Sequence, residues 1–389
     1  MRHRVVITGV GAVTPLGNSF SEIADSLFSG KSGIAHDEHL GVDVAHINMD
    51  VDAEYDNFDI QVTDRLSRTA YIAYQQAKAD SGTDQVDGVY FGTGAGSATE
   101  VAKTHRDFAA RGKLRPTSLV GAMSNNAANF IATKEQIKGP VFTYSAACSS
   151  ASVAIGEAYR AIAYGDVEVM TAGGGEFCIS KILVEQWRAM KALSNQCRPF
   201  SESRDGINLS EGTVMYILET LDRAQERGAH IYGEIVGYGV SCGAETMTKP
   251  NEEGQVSALE MALRRVMYNR VTYINAHGTG TPVGDLTELA SIERVFGTST
   301  SNIPISSTKA LHGHLLGAAG AMELTACLAV LDRNQVIPNW LLTDPDPAIS
   351  PNINLPTTVV DMQQDVCLNN SFAFGGTNIV LAIARFDNK

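Results

Sequence analysis

Short apolar runs alternate with amphipathic segments along the whole chain, the pattern of an α/β protein whose strands are buried. RVVITGV (4–10), GVYFGTG (88–94), VFTYSA (141–146), VEVMTAGG (167–174), VTYINA (271–276) and NIVLAIARF (378–386) read as strands. Apolar residues at helical spacing predict helices over 19–30, 68–82, 150–165, 255–267 and 320–332, several closed by a glycine stop. The alternation pauses at GAHIYGEIVGYG (228–239) and then restarts, which suggests two units, 1–240 and 241–389. No low-complexity linker and no short-period repeat separates them.

Composition narrows the class. With 389 residues the chain can bury a large core, and 44% hydrophobic against 19% charged residues is ordinary for a globular enzyme. A net charge of −13 disfavours nucleic acid as a partner. MRHRVVITGVGAVTPLG at the start is basic and then apolar, superficially like a signal peptide. It is short and broken by glycine, so a first strand and turn fit better. No run of eighteen apolar residues predicts a membrane span. The six cysteines are scattered with no CxxC pair, so neither a disulfide framework nor a zinc site is expected, and a reducing cytoplasm fits.

Four segments carry candidate chemistry. Cys148 falls between the strand VFTYSA and the helix beginning at SASVAIG, walled by Ala146, Ala147, Ser149, Ser150 and Ala151. Most free cysteines are small core residues. At a helix N-terminus, however, a thiol pKa is lowered, and small neighbours leave room for a substrate. His277, in NAHGTGTPVGD (275–285), follows a strand, where α/β sheets place ligand sites. A merely hydrogen-bonded histidine is the alternative, and no phosphate-loop pattern is present. Lys309, His312 and His314 lie in SSTKALHGHLLGAAGAMEL (306–324), ahead of a helix carrying Glu323, which suggests charge stabilisation in a dry site. NNSFAFGGTNIVL (369–381) places a glycine pair after Phe374, the signature of a loop that gates access.

In this order, SAACSS, HGTGTPVGD, STKxxxGHLLGAAG and SFxFGGTN resemble the elongating β-ketoacyl-acyl-carrier-protein synthases. The likeness extends to RVVITGVGAVTPLG, AGGGE (172–176) and RPFSESRDG (198–206), and so covers essentially the whole chain. It implies the thiolase fold, two related α/β halves in five α-β-α-β-α layers, and a decarboxylative condensation of a cysteine-bound acyl chain with malonyl-acyl carrier protein. The implied catalytic set is Cys148, His277 and His314, the last chosen over His312 by its GHxxGA context. Lys309 with Glu323 would organise the site electrostatically, and the backbone N–H groups of Cys148 and Phe374 would form the oxyanion hole. Thr279 and Thr281 match the threonines that hold the phosphopantetheine arm. No metal and no dissociable cofactor is implied, since phosphopantetheine arrives on its carrier. The carrier is acidic, so Arg65, Arg68, Arg111, Lys113 and Arg115 are candidate docking charges. A homodimer, or a heterodimer with a chain-length-factor subunit, is the expected assembly.

Departures from the family pattern point toward specialisation. The gating loop has Ala373 where a glycine is usual, before Phe374, Gly375 and Gly376, which should restrict its backbone. INLSEG follows the RDG block, and the chain is short between Ala189 and Arg198. Ala95, in GTGAGS, stands where bulk can obstruct the acyl pocket, so its methyl should leave the channel open to a long or stiff chain. These features suggest a specialised fatty-acid or polyketide pathway of aryl-polyene type, with a housekeeping elongation synthase as the alternative. The intact Cys148, His277 and His314 disfavour a non-catalytic chain-length factor, a thiolase and a starter-unit synthase, though the chain could be the active half of a heterodimer.

Overall fold

The computed structural model describes residues 2–386. The first part of the chain contributes five strands to a central sheet: β1 (Val5–Val13), β2 (Gly88–Gly92), β3 (Val141–Tyr144), β4 (Val169–Glu176) and β5 (Gly212–Thr220). The second part contributes β6 (Gly233–Cys242), β7 (Val271–Asn275), β8 (Ile305–Ser306), β9 (Val366–Phe372) and β10 (Thr377–Ala384). β1, β4, β5 and β9 are buried at every residue, so they read as unbroken runs rather than as alternation. β6 spans residue 240, so the division expected there falls inside a strand.

The strand order is β3-β2-β4-β5-β1 in the first set and β8-β7-β9-β10-β6 in the second. In each, one strand is parallel to both neighbours (β2 to β3 and β4; β7 to β8 and β9), and the remaining pairs are antiparallel. The same topology therefore occurs twice. β1 and β6 join the sets through Val5↔Ile235, Val6↔Glu234 and Ile7↔Gly233.

Helices complete five layers. α1 (Arg65–Ser81) and α3 (Asn126–Glu135) cover the outer face of the first set, and α2 (Ala98–Arg111) lies between them in sequence with no buried residue. α4 (Ser150–Tyr164) packs on β4 and β2 from the inner side. α5 (Glu252–Ala262) and α6 (Pro282–Phe296) cover the second set, and α7 (Ala319–Arg333) packs on β9 against α4. α7 is buried from Ala319 to Leu331, as a helix inside the middle layer must be, and this is why its Glu323 requires a partner. A Cβ on Gly320 would lie 1.9 Å from Ser152 Oγ and 2.6 Å from Ser371 Oγ, so only glycine lets α7 approach α4 and β9 this closely. α1 starts three residues earlier than its apolar pattern predicts, because Asp64 caps it by accepting from the Ser67 N–H.

Candidate active site

The turn between β3 and α4 is held by its own hydroxyls. Ser149 and Ser150 donate to the carbonyls of Ala146 and Ala147 at 2.8 and 2.7 Å, and Ser150 Oγ accepts from the Ala146 N–H at 2.8 Å. The serines thus brace the backbone as well as giving clearance. Ala147 takes a left-handed φ of 48°, a strained conformation for a residue with a Cβ, and presents Cys148 at the head of α4. Cys148 is 7% exposed. Burial pushes its thiol up to about 12, reversing the lowered value expected from a helix N-terminus. Lys309 and the Phe374 backbone N–H pull in the other direction, while Glu176 and Glu323 add to the rise.

His314 Nε2 lies 3.1 Å from Cys148 Sγ. Its Nδ1 accepts the Leu316 N–H at 3.3 Å, which places the ring proton on Nε2, the nitrogen facing the sulfur. The His277 ring stands edge-on to it with centroids 5.4 Å apart. Lys309 Nζ approaches His277 Nδ1 at 3.5 Å, so that ring too keeps its proton on Nε2. Burial and the Lys309 charge hold both imidazoles well below the ordinary histidine pKa, hence neutral. One donor atom from each of Cys148, His277 and His314 lies within 4.8 Å of the others. With both Nδ1 lone pairs engaged, the two rings offer N–H donors to the pocket.

Lys309 and Glu323 form an ion pair with both side chains fully buried. The ammonium also donates to the His277 carbonyl at 2.5 Å, so its three protons meet three acceptors. Glu323 is pushed up to about 7 by burial against the pull of Lys309. Two further carboxylates shape the loop after β7. Glu288 accepts from the His277 and Gly278 N–H groups, both at 2.8 Å, and Asp285 accepts from Gly280 N–H at 3.1 Å and Phe200 N–H at 2.8 Å. His312, passed over in the sequence reading, bonds Thr308 Oγ1 at 2.8 Å and does not line the pocket.

A cavity of about 300 Å³ opens onto these groups, and Cys148, His277, His314, Thr279, Thr281, Ala373 and Phe374 all line it. The two threonine hydroxyls lie 3.1 Å apart. Phe374 stacks on Trp187, with centroids 5.7 Å apart and 23° between planes. The loop is tied by Gly375 N–H to the Met247 carbonyl at 2.8 Å. Ala373 adopts an extended φ of −105°, so the alanine costs this conformation nothing. The left-handed turns fall on Gly375 (84°) and Gly376 (81°), where glycine is retained.

Family models for the beta-ketoacyl synthase N-terminal domain and the beta-ketoacyl synthase C-terminal domain match residues 2–224 and 232–343. The chain belongs to the β-ketoacyl synthase family. This synthase is 34% identical to 3-oxoacyl-[acyl-carrier-protein] synthase 2 of Coxiella burnetii, across 99% of each chain. It is 36% identical to nodulation protein E of Rhizobium meliloti, across 99% of this chain and 100% of that one. Its fold superposes on the ishigamide ketosynthase/chain length factor with a TM-score of 0.93 at 27% identity over the whole of both chains.

The remaining expected residues of this ketosynthase lie outside the cavity. Ala95 is exposed on a loop clamped by Glu176, which accepts from Gly94 N–H at 2.7 Å, Ala95 N–H at 3.1 Å and Gly317 N–H at 3.1 Å. Its methyl does not line the cavity at Cys148. Arg68 is not a docking charge: it is 6% exposed, and its guanidinium bonds Asp52 and the Thr63 carbonyl, both at 2.9 Å. Arg65 is half-exposed and paired with Glu211 at 3.2 Å, whereas Arg111, Lys113 and Arg115 are open to solvent. Glu288 and Trp187 were missed. Trp187 has no motif to mark it, but Glu288 falls three residues past HGTGTPVGD, on the inward face of the helix that motif begins.

Proposed function

We propose that this ketosynthase joins an acyl chain, carried on Cys148, to malonyl-acyl carrier protein with loss of carbon dioxide. The observation that carries this reading is one sulfur and two N–H donors converging on one cavity. In the first half-reaction Cys148 Sγ bonds the acyl carbon, the carrier thioester breaks, and the thiol proton ends on the departing phosphopantetheine thiol. The Phe374 and Cys148 N–H groups would hold the tetrahedral oxyanion. In the second, the malonyl carboxylate leaves as carbon dioxide and its bonding pair stays behind as an enolate. Neutral His277 and His314 donate Nε2–H bonds to the thioester oxygen bearing that charge. The enolate carbon then attacks the acyl-Cys148 carbonyl and sulfur leaves as thiolate. No metal or dissociable cofactor has a part in these steps.

Acyl carrier protein is the proposed partner, docking on Arg65, Arg111, Lys113 and Arg115. A second ketosynthase-like chain, either a copy or a chain-length factor, would cover β3, the exposed edge strand, where Phe142 is 55% exposed. Phe108, Leu114, Leu119, Val120 and Met123 are further exposed apolar residues of the same half, and Ala95 lies on an exposed loop, where a partner would close an acyl channel over its methyl. A specialised fatty-acid or polyketide pathway of aryl-polyene type is the preferred setting, supported by the small Ala95 and the likeness to a ketosynthase/chain-length-factor structure. A housekeeping elongation role is the second reading, favoured by the likeness to 3-oxoacyl synthase 2. Intact mass spectrometry after incubation with acyl and malonyl carriers tests both. The acyl mass should appear on the wild type and be absent from Cys148→Ala. Turnover of saturated chains with refusal of polyenoyl chains would favour the housekeeping role.

A further inference from the structure

We propose that a groove at the C-terminal end of α4, opposite the end that carries Cys148, binds a small molecule bearing two or more phosphates. The groove encloses about 490 Å³ and is lined by Arg2, Arg160, Arg264, Arg265, Tyr159 and Tyr238, among others. Four guanidinium groups around one cavity stand out on a chain of net charge −13. Several arginines elsewhere are spent on carboxylates: Arg4, Arg188, Arg270, Arg294 and Arg333 each reach at least one. Among the described residues, Arg2, Arg264 and Arg265 reach none. The carboxylate nearest to them in α4, Glu157, is already occupied by Arg160 at 2.8 Å and the Tyr238 hydroxyl at 3.2 Å.

The groove is also oriented for an anion. The Arg2 guanidinium lies 4.3 Å over the Tyr164 ring and that of Arg160 lies 4.6 Å over Tyr238, which restricts both side chains before any ligand arrives. Half-buried Tyr159 stands in the field of Arg2 and Arg265, opposed by Glu234, which Arg4 pairs, and its hydroxyl has no hydrogen-bond partner among the described residues. The negative end of the α4 dipole is muted, because Asp166, Gly165 and His3 N–H groups bond the carbonyls of Ala161, Ile162 and Ala163, each at 3.0 Å. Three guanidinium groups without a carboxylate, one of them (Arg2) donating to the Tyr164 hydroxyl, exceed the charge of one phosphate, and a guanidinium forks naturally onto phosphate oxygens. A polyphosphate chain, free or on a nucleoside, fits this arrangement.

Isothermal titration of the full chain with inorganic tripolyphosphate and with ATP, at constant ionic strength, tests the site. The expected result is one ligand per chain, with affinity weakened about tenfold or more in R264A/R265A and condensing activity without ligand unchanged. Equal affinities would mean that phosphate alone is read, and tighter ATP binding would mean that the groove also takes the nucleoside. Absence of heat with either probe at millimolar concentration would overturn the proposal. So would undiminished binding in the double variant, or equal competition by sulfate.

Discussion

Cys148 is asked to react from a place that resists its ionisation. Burial holds the thiol near 12, so at neutral pH the thiolate is a small fraction that grows tenfold with each pH unit. Alkylation of Cys148 by iodoacetamide, followed by peptide mass spectrometry, should therefore accelerate steadily through pH 9 without a plateau. A plateau near neutrality would show that the helix dipole prevails over burial. Lys309 pulls the thiol pKa down, so Lys309→Met should slow alkylation at fixed pH by about tenfold or more. Glu323, itself held up to about 7, would then take a proton instead of remaining a buried unpaired charge. At this scale the sequence is candid about groups that touch substrate and silent about those behind them. Cys148, His277 and His314 sit in motifs. Arg68 looks like a surface charge on a helix, yet its guanidinium is drawn inward to the Thr63 carbonyl and to Asp52, sixteen residues away. Linear spacing carries no trace of that contact.

At the scale of elements, the gating loop is a short piece of chain held by one ring stack and a few backbone bonds. Aromatic stacking is worth about 0.5–1.5 kcal/mol, so Trp187→Ala should speed hydrogen exchange at the Gly375 and Gly376 amides roughly two- to tenfold. Acylation of Cys148 should fall with it, since the Phe374 N–H then loses its fixed position, and Trp187→Phe should restore much of both. Unchanged exchange would mean that the Met247 bond alone holds the loop shut. In the middle layer, Gly320→Ala should cost about 1–3 kcal/mol or more in chemical denaturation, because Ser152 and Ser371 leave no space for a methyl. Element legibility follows the same physics. β1, β4, β7 and β10 are apolar runs bounded by turns and can be read directly. β9 hides because Asn369, Asn370 and Ser371 break its apolar run. These residues are buried and anchored at long range: Asn370 Nδ2 donates to Glu288 at 3.0 Å and Asn369 Nδ2 to the Gly320 carbonyl at 2.8 Å. A polar triplet inside a strand becomes intelligible only once its partners are in place.

At the scale of the molecule, a chain of net charge −13 would have to receive the acidic carrier proposed as its partner, and the proposed answer is local. Lys113→Glu with Arg115→Glu should raise the KM for acyl carrier protein several-fold, more at low salt than at high, with little effect on thermal stability, because both side chains are exposed. An unchanged KM would move the docking face elsewhere. The repeated strand order has a wider consequence. The loop after β3 bears the nucleophile, while its counterpart after β8 bears Lys309 and His314. The loop after β7 bears His277, while its counterpart after β2 bears only Thr93, Gly94 and Ala95. The two halves thus share one strand order and divide the chemistry: one holds the sulfur, the other the proton donors. Neither half holds a whole reaction, and a change in either is felt at the seam between them.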